Sequence, residues 1–269
     1  MTERDLVATS DDLGTPHLRL ERRGHVAWCV IDRPERRNAL SIDMYRGLGR
    51  AIRLAERDGS VRAMVLTGTG DVFIPGGEMS SSDDEPIIPS DFLPFRIMRN
   101  TTLPLVTAVN GLCFASGLLF TMLADVSVAS ERAVFRAPEL LRGFPDTWLA
   151  AVLPAHVGVG RARDLAFTAR KFDAQEAYQM GLVTRLSAHD QLETAAQQAV
   201  GELLSTAPLA RNYWKRELSA RYGAIDEATL DAAPACDEVR EGFDAFLEKR
   251  PPRWDPKNGN AHNQKGPKS

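Results

Sequence analysis

The chain has 269 residues, 43% hydrophobic and 26% charged, a mixture that builds an ordinary globular core and excludes disordered, collagen-like and coiled-coil classes. Its net charge is −3, and because the last 19 residues hold four Lys/Arg against one Asp, residues 1–250 carry −6. The basic stripe that a polyphosphate partner requires is missing, so no nucleic acid is expected. Cys29, Cys113 and Cys236 stand far apart, with no CxxC pair and no matched histidine spacing. Neither a disulfide framework nor a metal site is expected, and a cytoplasmic setting is the default.

In chain order, residues 1–14 are acidic and polar, without the basic start and apolar stretch of a secretory signal, and read as an extension. Residues 17–21 and 25–31 alternate apolar and polar side chains around Arg23-Gly24, the pattern of a hairpin. Ser41 is placed to cap a helix of about 17 residues in which Met44, Leu48, Ile52 and Leu54 recur at helical spacing. A buried strand at 64–66 leads to Gly68-Thr69-Gly70, to Gly76-Gly77, and to a polar segment at 80–90.

A second cycle follows the same plan: strand 105–109, turn Asn110-Gly111, helix near 116–124, strand 126–129. Residues 103–124 carry no charge and are long enough to span a bilayer. Pro104, Asn110-Gly111 and Ser116-Gly117 punctuate them, however, so a buried strand, a turn and a buried helix are expected, with no membrane partner. Strands alternating with helices predict an α/β fold with parallel strands. Helices are expected near 148–157, 161–169, 174–180, 190–205, 207–222 and 237–248. The domain plan is a core over 15–200, a helical region over 201–250 and a polar, disordered tail over 251–269.

Three features sit where α/β proteins hold their chemistry, at loops after strands and at helix N-termini. Phe73-Ile74-Pro75-Gly76-Gly77 offers bare backbone N–H groups. Asn110-Gly111-Leu112-Cys113-Phe114-Ala115-Ser116-Gly117 opens an apolar helix whose first N–H groups have no helical partner. Either loop can equally be a tight packing turn. Gly68-Thr69-Gly70 is no dinucleotide fingerprint, because position 73 is Phe73, and Ser116 is no nucleophile elbow, because position 114 is Phe114. The third feature is Ala137-Pro138-Glu139-Leu140-Leu141, followed by Asp146. A glutamate in apolar surroundings has its pKa raised toward neutrality, as proton transfer requires, although a surface glutamate opening a helix fits the spacing as well. Asp146 can be a second catalytic carboxylate or the N-cap of the next helix. His156 is read as packing.

Arg37-Asn38-Ala39-Leu40-Ser41, Leu66-Thr67-Gly68-Thr69-Gly70 with Phe73 and Gly76-Gly77, Val109-Asn110-Gly111 with Ser116-Gly117 and Ala124-Asp125, Phe135 with Pro138-Glu139, and Gly181-Leu182-Val183 occur in one order over residues 15–250. In these blocks the chain resembles the enoyl-CoA hydratase/isomerase, or crotonase, superfamily. The resemblance implies a crotonase-like (ClpP/crotonase) spiral of ββα repeats with a C-terminal helical trimerisation region, a homotrimer or dimer of trimers, and an acyl-CoA thioester substrate. No cofactor beyond the coenzyme A moiety and no metal is implied. It also implies that the backbone N–H groups of Gly77 and Ser116 form an oxyanion hole, that Glu139 moves the proton, and that Arg37, Asn38, Ala39, Leu40 and Lys249 hold coenzyme A. Asp146 falls near an aspartate that some members use, and residues 80–99 are expected to line the acyl pocket. Hydratases of the family have a second glutamate where this chain has Leu119. That departure favours double-bond isomerisation of an enoyl- or dienoyl-CoA. Hydration of a 2-enoyl-CoA and non-catalytic acyl-CoA binding are the alternatives.

Overall fold

A computed structural model describes residues 5–79 and 93–255. Asp5–Ala8 (β1) and the single turn Ser10–Leu13 (α1) precede the hairpin of Leu18–Arg23 (β2) and Val26–Ile31 (β3). Ser41 caps Ile42–Arg57 (α2) by accepting the Met44 N–H. Three turns of a spiral follow. The first contains Ala63–Gly68 (β4), Val72–Ile74 (β5) and Phe95–Asn100 (α3). The second contains Leu105–Val109 (β6), Leu112–Phe114 (β7) and Ser116–Leu123 (α4). The third contains Val126–Ser130 (β8), Val134–Arg136 (β9), a 3-10 turn at Glu139–Arg142 and Thr147–Val157 (α5). The chain continues through Val159–Thr168 (α6), Lys171–Asp173 (β10), Ala174–Met180 (α7) and Arg185–Ser187 (β11). Leu192–Leu204 (α8), Pro208–Ser219 (α9), Glu227–Ala232 (α10) and Asp237–Leu247 (α11) complete it.

Each turn of the spiral gives one strand to a seven-stranded sheet, ordered β1-β2-β3-β4-β6-β8-β11, and one to a four-stranded sheet, ordered β10-β9-β7-β5. The large sheet is parallel from β3 to β11, and β5, β7 and β9 are parallel in the small one. Parallel strands covered on both faces read as unbroken apolar runs, and all six residues of β3 are buried. Side-chain alternation divides them: Val26, Trp28 and Val30 pack with Ala196, Ala199 and Val200 of α8, while Ala27, Cys29 and Ile31 join the main core with Met44, Leu48 and Leu66.

The uncharged run at 103–124 resolves into β6, β7 and α4, and among the described residues no helix is long and apolar enough to cross a membrane. The extension is structured from residue 5, because β1 pairs antiparallel with β2 and Leu13 is fully buried. Most of the expected acyl-pocket segment, residues 80–92, and the tail from 256 onward lie outside the described residues. The strands of the small sheet are absent from the sequence reading. Each has three residues, too few for a periodicity to register.

Candidate active site

The small sheet assembles the site. Its neighbouring strands β5, β7 and β9 run parallel, so their C-terminal ends lie along one edge, one strand spacing of about 4.8 Å apart. Pro75-Gly76-Gly77 leaves β5, Ala115-Ser116 leaves β7, and Ala137-Pro138-Glu139 leaves β9. Segments 23 to 62 residues apart in sequence thereby meet on one edge, with Ser116 in the middle. This is where parallel α/β sheets hold ligands.

Local bonding fixes the two glycine loops. The Leu40 N–H donates to Gly76 O at 3.0 Å and the Glu78 N–H to Leu40 O at 2.8 Å, an isolated parallel bridge that holds Gly77 extended beside Leu40. Gly76 has φ +119°, a conformation that favours glycine, and a Cβ there would lie 3.0 Å from Ala115 Cβ. The loops are thus in contact. At Gly117 a Cβ would fall 2.4 Å from Ile74 O, so this glycine lets α4 start directly against β5. Asn110 ties the second loop to the first strand turn: its Oδ1 accepts the Gly68 N–H at 3.2 Å and its Nδ2 donates to Gly70 O at 2.8 Å. Ser116 is the first residue of α4, where an N–H has no intrahelical acceptor. Among the described residues neither the Gly77 nor the Ser116 N–H meets an acceptor. Two parallel strand ends thus present open amide donors side by side.

Glu139 is 8% exposed, and neither carboxylate oxygen has a hydrogen-bond partner among the described residues. Burial, and next the negative charge of nearby Asp146, raise its pKa well above the ordinary carboxylate range. Asp146 is half-buried and caps α5, its Oδ1 accepting the Leu149 N–H at 2.8 Å. Burial raises its pKa too, while the Leu149 and Trp148 N–H groups oppose the rise. The cap and the electrostatic partner of Glu139 are therefore the same side chain. Leu119 is fully buried on α4 and brings no polar group to the site.

Tyr45 escaped the sequence reading. Its hydroxyl, buried on the core face of α2, donates to Ser116 Oγ at 2.7 Å, and a Cβ on Gly77 would lie 3.3 Å from it. Burial, followed by the charges of Asp146 and Glu139, raises the phenol pKa. One signal could have found it. A tyrosine among Met44, Leu48 and Ile52 on an apolar helix face must have a buried partner for its O–H.

The expected coenzyme A segment divides. Arg37 is exposed with φ +52°, whereas Leu40 is fully buried in the core. Asn38 is buried, and its side chain serves the fold: Nδ2 donates to Val72 O at 2.7 Å and Thr69 O at 3.1 Å, and Oδ1 accepts the Arg33 N–H at 2.9 Å. The exposed Arg37 and the half-buried Ala39 keep open surface, while the Asn38 and Ala39 N–H groups donate to Arg33 O at 2.9 Å and Arg36 O at 3.0 Å. Lys249 lines a cavity of about 290 Å³ with Phe246, Arg250 and, from the 3-10 turn that Glu139 opens, Leu141 and Arg142. His156 stacks on Tyr222 with ring centroids 5.9 Å apart, a packing contact. Among the described residues no cluster of His, Cys, Asp and Glu could hold a metal ion.

The enoyl-CoA hydratase/isomerase family model matches residues 21–257. A probable enoyl-CoA hydratase, echA6, from Mycobacterium bovis is 35% identical over 232 residues, covering 83% of this chain and 93% of that one. An enoyl-CoA hydratase/isomerase from Pseudoalteromonas atlantica superposes with TM-score 0.76 at 32% identity, over 88% of this chain and 98% of its own. A monofunctional enoyl CoA isomerase from M. smegmatis gives TM-score 0.66 at 30% identity, over 77% and 93%. The chain belongs to the enoyl-CoA hydratase/isomerase family, and its α/β spiral is the crotonase fold.

Proposed function

We propose that this protein isomerises the double bond of an enoyl- or dienoyl-CoA, with the Gly77 and Ser116 N–H groups holding the thioester oxygen and Glu139 carrying the proton. Removing a proton alpha to a thioester puts negative charge on the carbonyl oxygen, and two fixed donors stabilise that enolate. Losing one such donor typically costs about 3–4 kcal/mol of barrier. Glu139 as carboxylate takes the proton from the alpha or gamma carbon, and as carboxylic acid returns it at the other end. The observation that carries this reading is a buried carboxyl at Glu139 without a hydrogen-bond partner among the described residues, together with a buried leucine, Leu119, where a second glutamate would be needed. Moving a proton needs one carboxyl; adding water needs a held nucleophile as well.

Hydration is the second reading, and Asp146 favours it, because a second carboxylate electrostatically linked to Glu139 can orient a water. The isomerase reading takes the protein as cytoplasmic, with no cofactor beyond the coenzyme A of its substrate, bound along Arg37 to Leu40 and toward Lys249. It also takes a homotrimer or dimer of trimers, for which the exposed Leu209, Tyr213, Trp214 and Leu218 of α9 provide apolar surface. Purified protein assayed with 3-enoyl-CoA and 2-enoyl-CoA tests the chemistry. Isomerisation is expected to fall by about 10²- to 10⁴-fold in Glu139→Gln. Fast hydration that survives this substitution sinks the isomerase mechanism, and tight acyl-CoA binding without turnover of either substrate points to a scaffold.

A further inference from the structure

Two hydroxyls meet beside the candidate oxyanion hole, and their protons do not balance. Tyr45 and Ser116 share one hydrogen bond, from the phenol to Ser116 Oγ at 2.7 Å. That bond engages one of the two O–H protons. The other, on Ser116, has no acceptor among the described residues, although the serine is 8% exposed. A buried donor without a partner is costly unless a ligand or water completes it. The pair is also rigidly placed. Tyr45 is 3% exposed and its ring stacks with Phe120 at 6.4 Å, which in turn meets Phe95 edge-on at 5.3 Å. The phenol oxygen lies beside Gly77, 3.3 Å from where a Cβ on that residue would be. Ser116 carries its amide N–H and its hydroxyl on one residue, close enough for both to reach one acceptor.

We propose that Tyr45 is a positioning residue that orients the Ser116 hydroxyl as a third donor to the thioester oxygen, beside the amides of Gly77 and Ser116. This rests on the oxyanion-hole reading above. By accepting from the phenol, Ser116 Oγ is turned so that its own O–H points away from Tyr45, and the enolate oxygen accepts a hydrogen bond from it. A donor that strengthens as negative charge develops acts on the transition state more than on the bound substrate. No covalent bond forms or breaks in the pair.

The test uses Tyr45→Phe, which keeps the ring and its packing, and Ser116→Ala, which removes the hydroxyl. The readouts are steady-state kinetics and the infrared stretch of an enoyl-CoA carrying a 13C-labelled thioester carbonyl, because a lost donor raises that stretch whereas a purely structural role leaves it alone. Each variant is expected to lose about tenfold to a hundredfold in kcat with KM changed less than about twofold, and the double variant to be no worse than either single. In both, the bound carbonyl stretch should move part of the way back toward its solution value. A stretch in folded Tyr45→Phe and Ser116→Ala equal to that of the unaltered protein overturns the pair. If the unaltered protein turns over no enoyl-CoA yet polarises the carbonyl in a Tyr45- and Ser116-dependent way, the isomerase reading fails while the pair stands.

Discussion

A carboxyl sealed from water with no donor on either oxygen weakens a fold wherever it has to be charged, and Glu139 is in that position. Its folded pKa is raised above the ordinary value that it has in the unfolded chain. Above that ordinary value the unfolded chain has released a proton that the folded protein still holds, so stability falls as pH rises toward the raised pKa. Asp146, also raised, acts in the same direction. Glu139→Gln cannot ionise. Its melting temperature should therefore exceed that of the unaltered protein by a margin that grows between about pH 5 and about pH 9, and thermal scans across this range that show a constant margin would contradict the assignment. Under the isomerase reading the rate tracks the ionised fraction of Glu139. It should climb with pH through a midpoint above the usual carboxylate range and not be flat from about pH 5 upward.

The strand-to-helix junctions hold the backbone strain. Ala115, between β7 and α4, sits at φ +52° and ψ −124°, a conformation that costs a residue with a Cβ about 1–3 kcal/mol. Ala115→Gly should raise stability by about 1 kcal/mol, visible as a melting temperature about 2–4 °C higher. Gly117 is the opposite case. A Cβ there would sit 2.4 Å from Ile74 O, a backbone atom that cannot swing aside, so Gly117→Ala should force α4 away from β5. We expect a loss of at least about 2 kcal/mol in urea unfolding and, on the proposed oxyanion-hole reading, a weaker grip on acyl-CoA because Ser116 moves with the helix. The helix-scale reading of the sequence matches most of the observed helices to within two residues, since apolar spacing and capping residues are local signals. Residues 174–180 coincide with α7, and Ser41 and Asp146 both cap the helices that follow them.

Across the molecule, the C-terminal helices are tied to the spiral by a buried ion pair. Lys215 of α9 meets Asp125 at 3.0 Å with both side chains mostly covered, and Asp125 also accepts the Leu105 N–H at 2.7 Å. Removing one partner strands the other charge in low dielectric. Lys215→Ala should cost about 3 kcal/mol and should loosen α9 first, which hydrogen exchange of residues 208–219 would report against unchanged protection in β3. Asp125 belongs to the Ala124-Asp125 block that the sequence reading singled out for its resemblance alone. Its physical work is to join strand β6 to Lys215, which lies 90 residues after Asp125 itself.

Residue order alone was enough for the class of the molecule. Two cycles of strand, glycine loop and helix led to an α/β fold with parallel strands, because local propensity and short spacings survive without coordinates, and the resemblance of five blocks led to the family and pointed to Gly77, Ser116 and Glu139 as candidates. It could not say that the loops after β5, β7 and β9 share one edge, since this depends on three-residue strands pairing across 22 to 40 residues. Nor could it tell a surface glutamate from a sealed one, find the Tyr45 hydroxyl beside Gly77, or show that the Asn38 side chain bonds Val72 O and Thr69 O. Burial and hydrogen-bond partnership come from long-range packing, and these set the proton affinity and reach of each group.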